Sequence, residues 1–298
     1  MPRLAESRRL AVALEALHQD LDVVDRVATD PVQFPRRYGD AGDMEVAAVF
    51  AASLAYGRVS LFRPVVSAIL KLADAKGGPR RWIETFGPAD AAMLAPLQYR
   101  WTRGPDLALL ARVLHVVLEE HGGLEPLFRP REGEADIGGA LDRGITALRR
   151  VAVSVGEVDT YRQLSHGFRH FLPVPGSGSA CKRWCMLLRW MVRPAGTVDL
   201  GLWSSIGTHQ LVIPLDTHVA RIARFLGLTE RRGNGWRTAR EITRALAVID
   251  PADPVRFDFA VAHLGISGRC KGVRDRDICP TCPLDALCVA PEAGASPR

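Results

Sequence analysis

Residues 268–288 read GRCKGVRDRDICPTCPLDALC, which sets Cys270, Cys279, Cys282 and Cys288 in the spacing C-x8-C-x2-C-x5-C. A C-x2-C turn brings two sulfurs to one ion or one cluster edge, and the flanking loops can swing the outer two ligands around it. Zinc and a four-iron, four-sulfur cluster (4Fe-4S) both accept four cysteines. Only one C-x2-C pair is present and the outer cysteines stand singly, unlike the paired knuckles of a zinc ribbon, which favours the cluster and keeps zinc as the alternative. Two disulfides are a third way to use four cysteines. Six cysteines in 298 residues, with no charged segment leading into a signal-like apolar run, weigh against them and predict a reducing, cytoplasmic setting.

A hydrophobic fraction of 47% is enough for one large or two modest domains. The longest nearly apolar run, 46–56, falls well short of the roughly twenty residues that cross a bilayer, so no membrane span is expected. The net charge of +6 is unevenly spread. Between Lys182 and Arg244 there are eleven Lys or Arg against four acids, which is +7 for that segment and near neutrality elsewhere. Such a segment is either a set of solvated helix faces or a phosphate-binding surface.

Apolar periodicity predicts helices and almost no strands. Leu10, Leu14, Leu17, Leu21 and Val24 give one face to a helix ending before Asp30-Pro31. Residues 45–72 read as two helices broken near Tyr56-Gly57, and 107–118 as another, stopped by Gly122-Gly123. The stretch 126–139 reads as an exposed connection. Further helices are expected at 179–192, 217–225, 239–248 and 254–264, and a frayed tail at 289–298.

Two short segments carry the remaining chemistry. The first, 171–182, reads FLPVPGSGSACK; Gly176 and Gly178 make a tight turn expected to open a helix near Ser179, where unpaired amides at the positive helix end would seat a phosphate. The same turn also joins any two helices. The second, 213–221, reads IPLDTHVAR, with Asp216 just before an apolar-periodic helix. Asp is a preferred N-cap for that reason alone, but a capping carboxylate can still face a cavity.

The order of these features, Pro175-Gly176-Ser177-Gly178, then Leu215-Asp216-Thr217-His218 with Arg221, then 263–270 leading into the cysteines, resembles the helix-hairpin-helix (HhH-GPD) DNA glycosylase superfamily, closest to its endonuclease III and adenine glycosylase branch. The phrases GSACKRWCMLLRWMVR and IPLDTH also resemble an uncharacterised bacterial family of unknown function beside these glycosylases. The resemblance implies an all-α, two-lobed fold. A helical barrel at 45–232 would carry the hairpin and the aspartate; the second lobe would combine 1–44 with the C-terminal helices and cluster loop at 233–288. It further implies a monomer that removes a damaged base from double-stranded DNA, with Asp216 as the catalytic carboxylate and the four cysteines holding the cluster. Gly176, Gly178, Ser179, Arg183, Lys271 and Arg274 become DNA contacts, and Tyr56, Trp184 and Trp203 candidates for the base pocket.

Three departures stand out. The first cysteine gap is two residues longer than the family's usual six, which a longer loop absorbs. The segment 193–213, carrying Trp203, is longer than usual and is a candidate wall of the lesion pocket. The bifunctional enzymes have a lysine two positions after the second glycine, where this chain has Ala180. Lys182 comes two residues later, about 200° around a regular helix. Either the register shifts so that Lys182 reaches the site and forms a Schiff base with the sugar, or the enzyme is monofunctional and Asp216 orients a water. Two other classes fit the same features: a catalytically silent nucleic-acid-binding module, and a zinc-stabilised nucleic-acid-processing factor.

Overall fold

The computed structural model describes residues 4–292; the expected tail lies outside the described residues from 293 onward. The fold is mostly helical. The first apolar stripe forms α1 (Leu4–Gln19), with Leu10, Leu14 and Leu17 buried, but the helix does not continue to Asp30. Asp22 accepts a hydrogen bond from Asp25 N at 3.0 Å and starts a separate α2 (Val23–Thr29), whose Val24 is exposed. A capping aspartate has overridden an apolar period.

The predicted pair of helices at 45–72 becomes α3 (Ala41–Leu54) and α4 (Val59–Asp74), separated at Gly57, whose φ is +78°. Asp40 caps α3 by accepting from the amides of Gly42 and Asp43. Every residue of α3 from Glu45 to Leu54 is buried, so it is the central helix and not a surface one. Around it pack α4, α5 (Pro79–Glu84) and, from later in the chain, α10 (Lys182–Val192). After α6 (Pro88–Leu94), the strands β1 (Gln98–Tyr99) and β2 (Thr102–Arg103) form a small antiparallel hairpin. It leads into α7 (Gly104–His121), which ends on left-handed Gly122 as its sequence suggests.

The connection at 126–139 is exposed through its middle, as expected, and anchored near both ends. Phe128 and Ile137 are fully buried, and Ile137 N donates to Gln210 O at 2.8 Å, so both ends of the exposed stretch are fixed to the core before α8 (Gly138–Val155). Beyond the short α9 (His166–Arg169) and α10 come α11 (Thr217–Phe225), α12 (Trp236–Ala247) and α13 (Asp258–Ile266). The helix α11 packs on α13, and α1 packs there too, bringing the start of the chain beside its C-terminal helices. No helix among the described residues is long and apolar enough to cross a membrane.

Most of the basic segment is spent inside the fold. Arg189, 3% exposed, pairs with Asp199 (3.2 Å) and Asp258 (3.7 Å), and Arg193 pairs with Asp199 and Asp253. Arg231 pairs with Glu241 and Arg240 with Asp136, while Arg221 and Arg224 donate to backbone carbonyls. Counting charges along the chain cannot reveal such partners.

Burial pushes the Asp258 carboxyl up from 3.8 to about 7, with Asp216 adding to the rise and Arg189 opposing it. A carboxyl whose folded pKa exceeds its unfolded one stabilises fully below the unfolded value, and that contribution is lost as pH rises through the folded value. Stability should therefore fall between about pH 4 and pH 7 through this group, by on the order of a few kcal/mol. Asp258→Asn should flatten that part of the urea-unfolding profile. A variant with the wild-type pH slope would refute the assignment.

Candidate functional site

A cleft of about 1310 Å3 is lined by residues from distant parts of the chain: Asp30, Tyr56, Arg58, His166, His170, Ser179, Lys182, Asp216, His218 and His263 among them. Asp216 is the N-cap of α11. Its Oδ1 accepts from the amides of His218 (2.9 Å) and Val219 (2.8 Å), which leaves Oδ2 free to face the cleft, where Lys182 Nζ lies 3.4 Å away. The aspartate is 16% exposed and the lysine 34%, so both are half out of water but open to a ligand.

Lys182 reaches this position because α10 does not begin at the glycines. The hairpin is a 3-10 turn, Pro175–Ser177, closed by left-handed Gly178, and α10 starts only at Lys182 after Cys181, which takes a left-handed φ of +49°. Ser179, Ala180 and Cys181 are not helical, so the 200° separation expected of a regular helix does not arise. A left-handed backbone at a non-glycine residue is uncommon and has no clear sequence mark, which is why the register could not be read beforehand.

The hairpin amides are largely used. Gly176 N donates to Asp142 Oδ1 (3.0 Å), Ser177 N to Val174 O and Gly178 N to Pro175 O, so Gly176 and Gly178 do not offer the open phosphate seat that was expected. The turn is instead flanked by side chains. A second concavity next to Gly176, Ser177 and Gly178 is lined by Arg231, Arg232 and Arg237. Gly178 O accepts from Trp236 N at 3.1 Å, and a Cβ on Gly235 would stand 2.5 Å from that same oxygen, so glycine is what lets α12 dock on the hairpin.

Other expected contacts need correction. Arg183 is 8% exposed, donates its guanidinium to Ser53 O and His170 O, and lies over the Tyr56 ring; it braces the cleft wall and is closed to phosphate. Burial pulls it down to about 10. Trp184 donates to Phe171 O (2.8 Å) and Trp203 to Glu45 Oε1 (2.7 Å), and both pack on Phe128 in the core, away from the cleft. Of the three aromatic candidates only Tyr56 lines it, with its hydroxyl held by Thr102 Oγ1 at 2.8 Å.

The cleft also holds residues that sequence reasoning passed over. Asp30, read only as a helix end, caps the following turn with Oδ1 on Val32 N (2.9 Å) and sets Oδ2 3.5 Å from His263 Nε2. His263 is buried, and neither ring nitrogen has a hydrogen-bond partner. His170 is pulled down to about 4, first by burial and then by Arg183, so its imidazole is neutral across the ordinary pH range. Only three-dimensional proximity joins these groups, and the one linear hint was the Asp30-Pro31 break.

Cys270, Cys279, Cys282 and Cys288 are free thiols that together line one small cavity of about 40 Å3, closed by Ile222 and Phe225 of α11, by Leu226 just after it and by Leu264 of α13. Among the described residues, no three His, Cys, Asp or Glu side chains converge on a point where a single ion could sit. The loop is tied to α11: Arg221 donates to Cys270 O (2.7 Å), and Val289 N donates to Phe225 O (2.9 Å). Asp275 N donates to Cys279 Sγ at 3.2 Å. The charges expected to face DNA are engaged within the loop, Lys271 with Asp275 (2.9 Å) and Arg274 with Asp285 and with Cys288 O.

A mostly helical chain with a lysine-aspartate pair in a large cleft and a four-cysteine loop packed behind the aspartate's helix defines the class structurally. Residues 30–267 match a family model described as protein of unknown function (DUF2400), and the chain belongs to that family. The match covers the cleft residues and stops before Cys270. No curated protein and no solved structure matches the chain.

Proposed function

We propose that this protein is a DNA N-glycosylase with AP-lyase activity, removing a damaged base from duplex DNA. The observation that carries the reading is the Lys182–Asp216 pair, 3.4 Å apart in a cleft large enough for an extruded nucleotide. The resemblance of the hairpin and LDTH segments to helix-hairpin-helix glycosylases supplies the reaction class, and with it a two-lobed arrangement in which the cleft lies between the lobes.

Chemistry at a base in a duplex requires the nucleotide to leave the stack. As the C–N glycosidic bond breaks, the electron pair departs with the base and positive charge develops on the sugar. Asp216 Oδ2, whose partner oxygen is fixed by the cap, stabilises that charge without reorganising. Asp216 is also the nearest carboxylate to accept a proton from Lys182, whose amine then adds to the sugar carbon; the bond from that carbon to the ring oxygen breaks, its electron pair and a proton going to the ring oxygen, and the Schiff base so formed is the species from which the strand is cleaved. Arg232 and Arg237 beside the hairpin take phosphates in place of the occupied amides. The four cysteines line one cavity; for the group that their spacing would hold we favour a 4Fe-4S cluster over zinc, and it would supply a structural tie between the loop and α11.

Borohydride trapping on duplexes carrying 8-oxoguanine, thymine glycol, uracil, alkylated purines or an abasic site tests the reading. A covalent adduct is expected from the wild type and none from Lys182→Ala. Abasic sites revealed by alkali without an adduct would leave a monofunctional glycosylase, and neither product would favour the silent binding module.

A further inference from the structure

A partly exposed aromatic tip packs against the wall of the cleft. In the β1–β2 hairpin Tyr99 pairs with Thr102, so Arg100 and Trp101 form a two-residue turn. Arg100 takes φ +53°, at a turn position where glycine is the usual residue. Left-handed backbone at a bulky residue persists only where its surroundings hold it, and here they do. The Trp101 ring stacks on Tyr56 (5.0 Å, 12°) and meets His170 (5.0 Å) and His166 (5.8 Å) edge-on, and all three of those residues line the cleft. Trp101 O lies 2.6 Å from where a Cβ on Gly167 would be, so the hairpin rests directly on α9. Yet 37% of Trp101 remains open, with the Arg100 guanidinium 4.8 Å above its ring.

The tip and the neighbouring cleft also carry charge that no carboxylate neutralises. Arg58 and Arg169 in the cleft lining and Arg100 at the tip make no ion pair with any described residue. A partly open indole with Arg100 over its ring, next to a cleft lined by Arg58 and Arg169, is complementary to a stacked base flanked by phosphates.

We propose that Trp101, with Arg100, stacks on the base flanking the vacated position when a nucleotide is drawn into the cleft, making this hairpin a second DNA contact beside the cleft that holds Lys182 and Asp216. The inference rests on the glycosylase reading and adds to it a specific element that the family resemblance does not contain. No chemical step is assigned to the tip. It holds the duplex open by replacing lost base stacking with indole stacking.

The test uses the full-length protein and a duplex containing tetrahydrofuran, an abasic analogue, flanked by 2-aminopurine. Wild type should bind it in preference to the intact duplex and change the 2-aminopurine fluorescence. Trp101→Ala should weaken that binding about 10- to 100-fold and leave the fluorescence as in free DNA, whereas Trp101→Phe should restore most of both. Arg100→Ala should lower the salt dependence of binding by about one phosphate contact. Thermal unfolding of each variant separates misfolding from lost contact, and Trp101→Phe keeps the proposal testable if Trp101→Ala does not fold. Unchanged affinity and fluorescence in a folded Trp101→Ala protein would overturn the stacking role while leaving the glycosylase reading intact. A wild type with no preference for the abasic duplex would overturn the reading on which it stands.

Discussion

Asp216→Asn should leave a folded protein that still binds duplex DNA and has lost base release by roughly 10²- to 10⁴-fold. The argument turns on the aspartate's two oxygens having separate tasks. Oδ1 satisfies the His218 and Val219 amides at the start of α11, and an asparagine oxygen caps nearly as well, so the helix and its packing on α13 should survive. What disappears is the negative charge at the position facing Lys182. Asp216→Ala removes both functions and should cost about 1 kcal/mol of stability as well. Single-turnover release from a lesion-containing duplex, followed by alkali cleavage, reads the first effect, and denaturant unfolding reads the second. A fully active Asn variant would remove Asp216 from the chemistry. An Asn variant as unstable as the Ala one would show that the residue serves mainly to hold α11.

The same aspartate shows how far the sequence could be read. α11 was placed correctly at both ends because a good N-cap and a short apolar period agree. At α1 the two signals disagreed, and Asp22 prevailed over the leucine spacing. Lys182 could be proposed as a cleft residue but not positioned, since that depended on Cys181 adopting a backbone that only the packed fold sustains. Trp184 and Trp203 matched a base-pocket residue in type, but each indole N–H found a buried acceptor and the rings joined the core. The basic run from Lys182 to Arg244 was visible as a number, while its partners, such as Asp136 and Asp258, lay elsewhere in the chain or were hidden by burial. Asp30 and His263 meet only through the folding of the chain ends onto one another.

Cys282→Ser should remove the proposed 4Fe-4S cluster. Protein purified without oxygen is expected to be brown and to contain iron and acid-labile sulfide, and the serine variant to be colourless with little of either, because a four-thiolate site deprived of one ligand binds far less tightly. Binding energy at such a site is partly folding energy, so the variant should also unfold earlier, by roughly several kcal/mol under conditions where the group is retained by the wild type. The damage should begin in 268–292 and spread to the C-terminal half of α11, since Arg221 and Phe225 are the residues that hold the loop through Cys270 O and Val289 N. Limited proteolysis would locate it. Asp216 sits at the opposite end of that same helix, so base release should fall in the serine variant even though none of the four loop cysteines lines the cleft. A wild type that is colourless and carries zinc would replace the cluster by the zinc alternative while preserving the four-cysteine site. A variant with normal proteolysis and full activity would show that the loop is not coupled to the aspartate.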